Sequence, residues 1–142
     1  MPLKKFMLVF IPYIAFYIGY LIYEVTIGNN VDVKDWWPLA LTFILLFHFV
    51  VTVVYCVIDK LYPSSYRYTV IYGLLLALPL AISLLINEVF YPIDWYAVNT
   101  GQVELTALQA LFNSDLLMQI MTGLILLSHF LFRYSQRLKS GR

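Results

Sequence analysis

Four stretches of this chain contain no Asp, Glu, Lys or Arg: residues 6–23, 36–58, 68–87 and 116–132, of 18, 23, 20 and 17 residues. At a helical rise of about 1.5 Å per residue, runs of this length approach or exceed what a hydrocarbon layer about 30 Å thick requires. A backbone in hydrocarbon must satisfy its own N–H and C=O groups, so such runs fold as helices. The expected fold is therefore all-α: an integral membrane four-helix transmembrane bundle in a single domain over 1–142, with spans at about 6–27, 37–58, 68–88 and 114–133. Composition points the same way, because 62% of residues are hydrophobic and 12% charged, far from the balance of a soluble domain.

Lys4 and Lys5 precede the first run, as they would in a signal peptide. Its apolar part is longer than a usual h-region and leads into Glu24-Val25-Thr26 without a small-x-small cleavage site, so it reads as a retained span. Cys56 is the only cysteine, which excludes an internal disulfide and CxxC redox chemistry.

Charge sorts the ends of the spans. Lys4, Lys5, Lys60, Arg67, Arg133, Arg137, Lys139 and Arg142 fall on one side, leaving Lys34 alone on the other. The positive-inside rule predicts that the eight lie in the cytoplasm with both termini, in a multi-pass protein of a bacterial plasma membrane. Outer loops are then expected at 28–36 and 89–113, a cytoplasmic loop at 59–67 and a tail at 134–142. Seven of the eight acids, Glu24, Asp32, Asp35, Glu88, Asp94, Glu104 and Asp115, fall outside. Loop acids of this kind are commonly just solvated, and none has the spacing of an EF-hand. Orientation alone likewise accounts for the basic set, which is too sparse for specific lipid recognition.

In the first outer loop, Trp36 and Trp37 suit the headgroup level and Pro38 suits the first turn of the second span. The 59–67 connection is short enough to make the second and third spans antiparallel neighbours. In the second outer loop, 103-VELTALQALF-112 sets Leu105, Leu108, Leu111 and Phe112 on one face, which predicts a short amphipathic helix on the membrane surface. The rival reading extends the last span outward, with 113-NSD-115 as an alternative helix start. The pair 21-LIYEV-25 and 85-LINEV-89, each followed by a Trp motif, suggests an internal repeat, although apolar composition inflates such matches.

Residues three and four apart share a helical face. By that spacing the first span carries Tyr13, Tyr17, Tyr20 and Glu24; the second His48, Thr52, Tyr55 and Asp59; the third Tyr72, Pro79, Ser83 and Asn87; the fourth Asp115, Gln119, Thr122, His129 and Arg133. Unpaired polar groups are costly in hydrocarbon, so these edges are expected to face one another. Hydrogen bonding between helices suffices to explain most of them. His48, near the midplane, is the strongest functional candidate, because an intramembrane ionisable residue marks a solute or proton path by default. His129 is expected about one turn, or about 5 Å, nearer the cytoplasm. Glu24 and Glu88 are expected at the outer rim within reach of water. Gly19, Gly73 and Gly123 each permit close helix approach without forming a GxxxG pair.

No nucleotide-binding, metalloprotease, nucleophile-elbow or nucleic-acid signature is present, so no catalytic residue, metal or cofactor is assigned. In size and topology the chain resembles small four-span membrane proteins of Gram-positive bacteria and their prophages, a likeness that no motif carries. Small multidrug transporters share the span count, but they place a carboxylate inside the first helix, whereas Glu24 closes the first run. Two roles follow as expectations. The first is a non-enzymatic accessory, regulatory or immunity-type protein, seated in the lipid bilayer, that presents Asp94, Trp95, Tyr96 and Glu104 to another membrane protein or to a second copy of itself. The alternative is a small oligomeric transporter or channel with a polar path lined by Tyr and His.

Overall fold

The computed structural model describes residues 3–27 and 31–141, with 31–35 described through their backbone alone. All its regular structure is helical. The long helices are α1 (Leu3–Thr26), α2 (Val31–Leu61) and α3 (Tyr66–Leu85), which a π-helical turn, Ile86–Phe90, continues. Two short helices, α4 (Trp95–Asn99) and α5 (Ala107–Phe112), precede the last long one, α6 (Asp115–Ser140). Four segments are long and apolar enough to cross a membrane: Leu3–Thr26, Trp36–Leu61, Tyr66–Phe90 and Asp115–Ser140.

α1 packs most extensively, against α3 and α2, while α6 lies against α3 and more lightly against α2. Gly73 brings α3 close to α1: an added Cβ there would meet the Leu8 carbonyl oxygen at 2.8 Å and the Val9 Cα at 3.1 Å. Gly19 and Gly123 have open space at that position, so of the three glycines that permit close helix approach only Gly73 is used for it. Val9, Tyr13, Tyr17, Leu76, Leu80, Val51 and Tyr55 form the core between the first three helices.

The polar edges of α1, α2 and α3 turn inward. Tyr13, Tyr17 and Glu24 are buried, as are His48, Thr52, Tyr55 and Asp59, and Ser83 and Asn87 on the third helix and its π turn. On α6 only Thr122 and His129 are buried, while Asp115 and Gln119 are exposed. Outward positions carry large apolar side chains, among them Phe43, Leu46, Leu74, Leu124 and Leu131.

Boundaries depart from expectation in three places. α2 already begins at Val31, so Pro38 lies inside the helix and not in its first turn. Residues 28–30 and the side chains of Asp32, Lys34 and Asp35 lie outside the described residues. The second departure is in the 103–112 stretch, where only Ala107–Phe112 is helical. Thr106 closes a capping box there, its hydroxyl accepting from the Gln109 backbone while the Gln109 side chain accepts from the Thr106 backbone, which sets the helix start at 107. α5 is also no extension of α6, because Ser114 is extended (φ −72°, ψ 117°) and separates them. Finally, α6 remains helical to Ser140, through most of the expected tail.

Candidate functional site

The end of the molecule that carries α1's first residues is tied by ions. The buried Lys5 ammonium donates to Asp59 at 2.8 Å and to the Ser64 carbonyl at 2.5 Å. Asp59 also accepts from the Ser64 backbone N–H at 2.9 Å and from its hydroxyl, so one carboxylate joins α1, the end of α2 and the loop before α3. Arg133 of α6 donates to the carbonyls of Tyr62 and Pro63 in the same loop. These are positioning contacts, in which Lys5 and Asp59 pair as ions while Arg133 binds neutral backbone carbonyls.

One layer inward, His129 is fully buried, stacked on Tyr55 at 4.6 Å and tilted against Tyr72 at 4.2 Å. Neither of its ring nitrogens, nor the Tyr55 hydroxyl, has a hydrogen-bond partner among the described residues. His48 has different neighbours: it stacks on Tyr13 and lies edge-on to Phe47. The two histidines therefore sit in separate aromatic settings. Thr52, the next polar residue on α2, turns its hydroxyl back to the His48 carbonyl at 2.7 Å, a local bond within the helix.

Toward the opposite end the helices part around a cavity of about 490 Å³. Each long helix contributes to its wall: Tyr17 and Tyr20 from α1, His48 and Phe47 from α2, Ser83 from α3, and Gln119 from α6. Trp95 of α4 and Phe112 of α5 also line it. Of the residues singled out from sequence as intramembrane candidates, Tyr17, Tyr20, His48, Ser83 and Gln119 meet here; Tyr13, Thr52 and His129 do not.

The segment between α3 and α6 is clamped over this region by buried amides. Asn87 and Asn113 exchange side-chain hydrogen bonds at 3.0 and 3.1 Å, and Asn113 also donates to the Gln109 carbonyl at 2.7 Å. Gln109 donates to the Tyr91 carbonyl at 3.0 Å, and Ser83 to the Phe112 carbonyl at 2.7 Å. Through these amides and hydroxyls the short helices are tied to α3 and its π turn by polar bonds.

Glu24 departs from its expected place within reach of water, whereas Glu88 is half-buried. Glu24 is only 2% exposed, not at a wetted rim, and its carboxyl group faces that of Glu88. The Tyr20 hydroxyl donates to Glu88 at 3.3 Å, and Glu88 itself lines the cavity. One Glu24 oxygen has no partner among the described residues. The two glutamates hold the same place in the LIYEV and LINEV segments, a signal that was available in the sequence. Their meeting depends on the packing of α1 on α3 and on the π turn that holds Glu88, neither of which the sequence displays; such turns recur at functional sites.

The four surface candidates divide. Asp94 is exposed and accepts from the Ala97 backbone N–H at 3.0 Å, capping α4. Trp95 is half-buried in the cavity wall. Only Tyr96 and Glu104 are exposed without such a role in the contacts described. No family model, curated protein or solved structure matches this chain.

Proposed function

We propose that this is a non-enzymatic, four-span plasma-membrane protein that binds a small amphipathic molecule in the cavity among its helices and passes it between the outer bilayer half and the protein interior. The observation that carries this reading is the composition of the cavity wall. Aromatic rings and aliphatic side chains such as Ile44, Leu80, Leu84 and Met118 supply most of it, while His48, Ser83, Asn87, Glu88 and Gln119 converge on it from three of the long helices and the π turn. Mostly apolar concavities of about 300–1,000 Å³ with a few placed polar groups are the usual form of small-molecule sites. The orientation rests on charge: the described basic side chains Lys4, Lys5, Lys60, Arg67, Arg133, Arg137 and Lys139 cluster at one end, which the positive-inside rule assigns to the cytoplasm together with both termini. The cavity then opens toward the exterior, and Leu108 and Leu111, both exposed on α5, support an interfacial seat for that helix.

A second reading, a surface for another membrane protein or a second copy, is favoured by the exposed run Val89, Phe90, Tyr91, Tyr96 and Val103 beside the cavity. A photo-reactive benzoylphenylalanine placed at Phe47 or at Tyr96 in native membranes separates the two. Small-molecule adducts at position 47 are the expected result. Polypeptide adducts at 96 with nothing captured at 47 would leave the ligand-binding reading without support.

A further inference from the structure

The cavity wall is asymmetric in charge. Glu88 and Asp115 line it, Glu24 stands behind Glu88, and among the described residues no Lys or Arg contributes to it. At physiological pH a site with this balance attracts cations and repels anions. Two orphaned atoms mark places for a ligand donor. Among the described residues, Nδ1 of His48, a wall residue 3% exposed, lacks a partner, and so does one oxygen of Glu24, which lies behind the wall. The other wall groups that Ser83, Asn87 and Tyr20 provide are already engaged with neighbours.

We infer that the cavity takes an amphipathic organic monocation, a protonated amine on an apolar body, with the ammonium at Glu88, which Glu24 backs, and the body against Tyr17, Phe47, Trp95 and Phe112. This rests on the ligand-binding role proposed above and names its substrate class. An ammonium supplies the N–H donors that carboxylate oxygens require, and aromatic faces attract cations at close range. A bare divalent metal fits poorly, because hard cations require about six oxygen ligands and, among the described residues, no three of His, Cys, Asp and Glu are grouped to hold one. The depth of the site suits an elongated molecule. Its lining runs along α3 and the π turn from Leu80 to Glu88, eight positions or about 12 Å along a helix.

A charge series of one shape tests the assignment: 4-phenylbutylammonium, 4-phenylbutanol and 4-phenylbutyrate, titrated by calorimetry into the full chain in lipid nanodiscs, with empty nanodiscs subtracted. The amine is expected to bind saturably and at least tenfold more tightly than the alcohol, with the carboxylate weakest. Glu88→Gln is expected to remove that preference and Glu88→Asp to retain part of it; the comparison among ligands on the unaltered protein stands even if a variant does not fold. Equal binding of amine and alcohol, or a preference for the carboxylate, overturns the cation assignment while leaving a ligand-binding cavity in place. Failure of all three to bind saturably overturns both.

Discussion

At the scale of single residues, the histidines and the ion pair show how burial turns a polar side chain into either a tie or a liability. Lys5 and Asp59 are each about nine-tenths buried and mutually bonded, so removing one partner strands a charge. Lys5→Met is therefore expected to destabilise the protein by about 3 kcal/mol, the range for breaking a buried pair, and Lys5→Met with Asp59→Leu to recover part of the loss. Unfolding midpoints in a single detergent check this, and an unaltered midpoint in Lys5→Met would mean that the pair is dispensable. His129 presents the opposite case, with two ring nitrogens unsatisfied at zero exposure between Tyr55 and Tyr72. An unsatisfied buried polar group costs about 1–3 kcal/mol, so His129→Phe, which keeps the ring and removes both nitrogens, is expected to raise the midpoint. A fall would show that the imidazole is hydrogen-bonded in the bilayer.

At the scale of elements, α1 comes close to the backbone of α3 at Gly73, and the short helices are held by an amide network. Gly73→Ala places a methyl carbon 2.8 Å from the Leu8 carbonyl oxygen, where a backbone and not a flexible side chain must move. Overpacking of this kind costs about 1–3 kcal/mol, while Gly19→Ala and Gly123→Ala, which meet nothing within 4 Å, are expected to be neutral or slightly stabilising through helix propensity. Comparing the three thermal midpoints tests the packing of α1 on α3, which a uniform response would contradict. The Asn87–Asn113 pair joins the π turn to the end of α5, so Asn113→Ala is expected to loosen 91–112 without unfolding the long helices. Faster hydrogen exchange confined to that segment is the signature, and an unchanged exchange pattern would show that the pair does not hold it.

At the scale of the whole molecule, the proposed orientation predicts opposite accessibility for its two ends. In a Cys56→Ser background, Tyr96→Cys is expected to react with an impermeant maleimide on intact cells, and Gln136→Cys only after the membrane is opened; the reverse pattern would invert the protein and turn the cavity toward the cytoplasm. Much of the architecture was legible beforehand. Uncharged runs of 17 to 23 residues leave a backbone in hydrocarbon no alternative to helix, and the three-and-four spacing of Tyr13, Tyr17, His48, Thr52, Ser83 and Asn87 marked the faces that turned inward. That much is local, because hydropathy and helical periodicity act within one segment. Which polar residues meet is not local. Tyr13 and Tyr17 lie one turn apart on the same edge, yet only Tyr17 reaches the cavity, and Glu24 and Glu88, 64 positions apart, face each other because α1 packs on α3. Helix packing depends on the fit of whole surfaces, down to a missing side chain at Gly73, and no single segment carries that information.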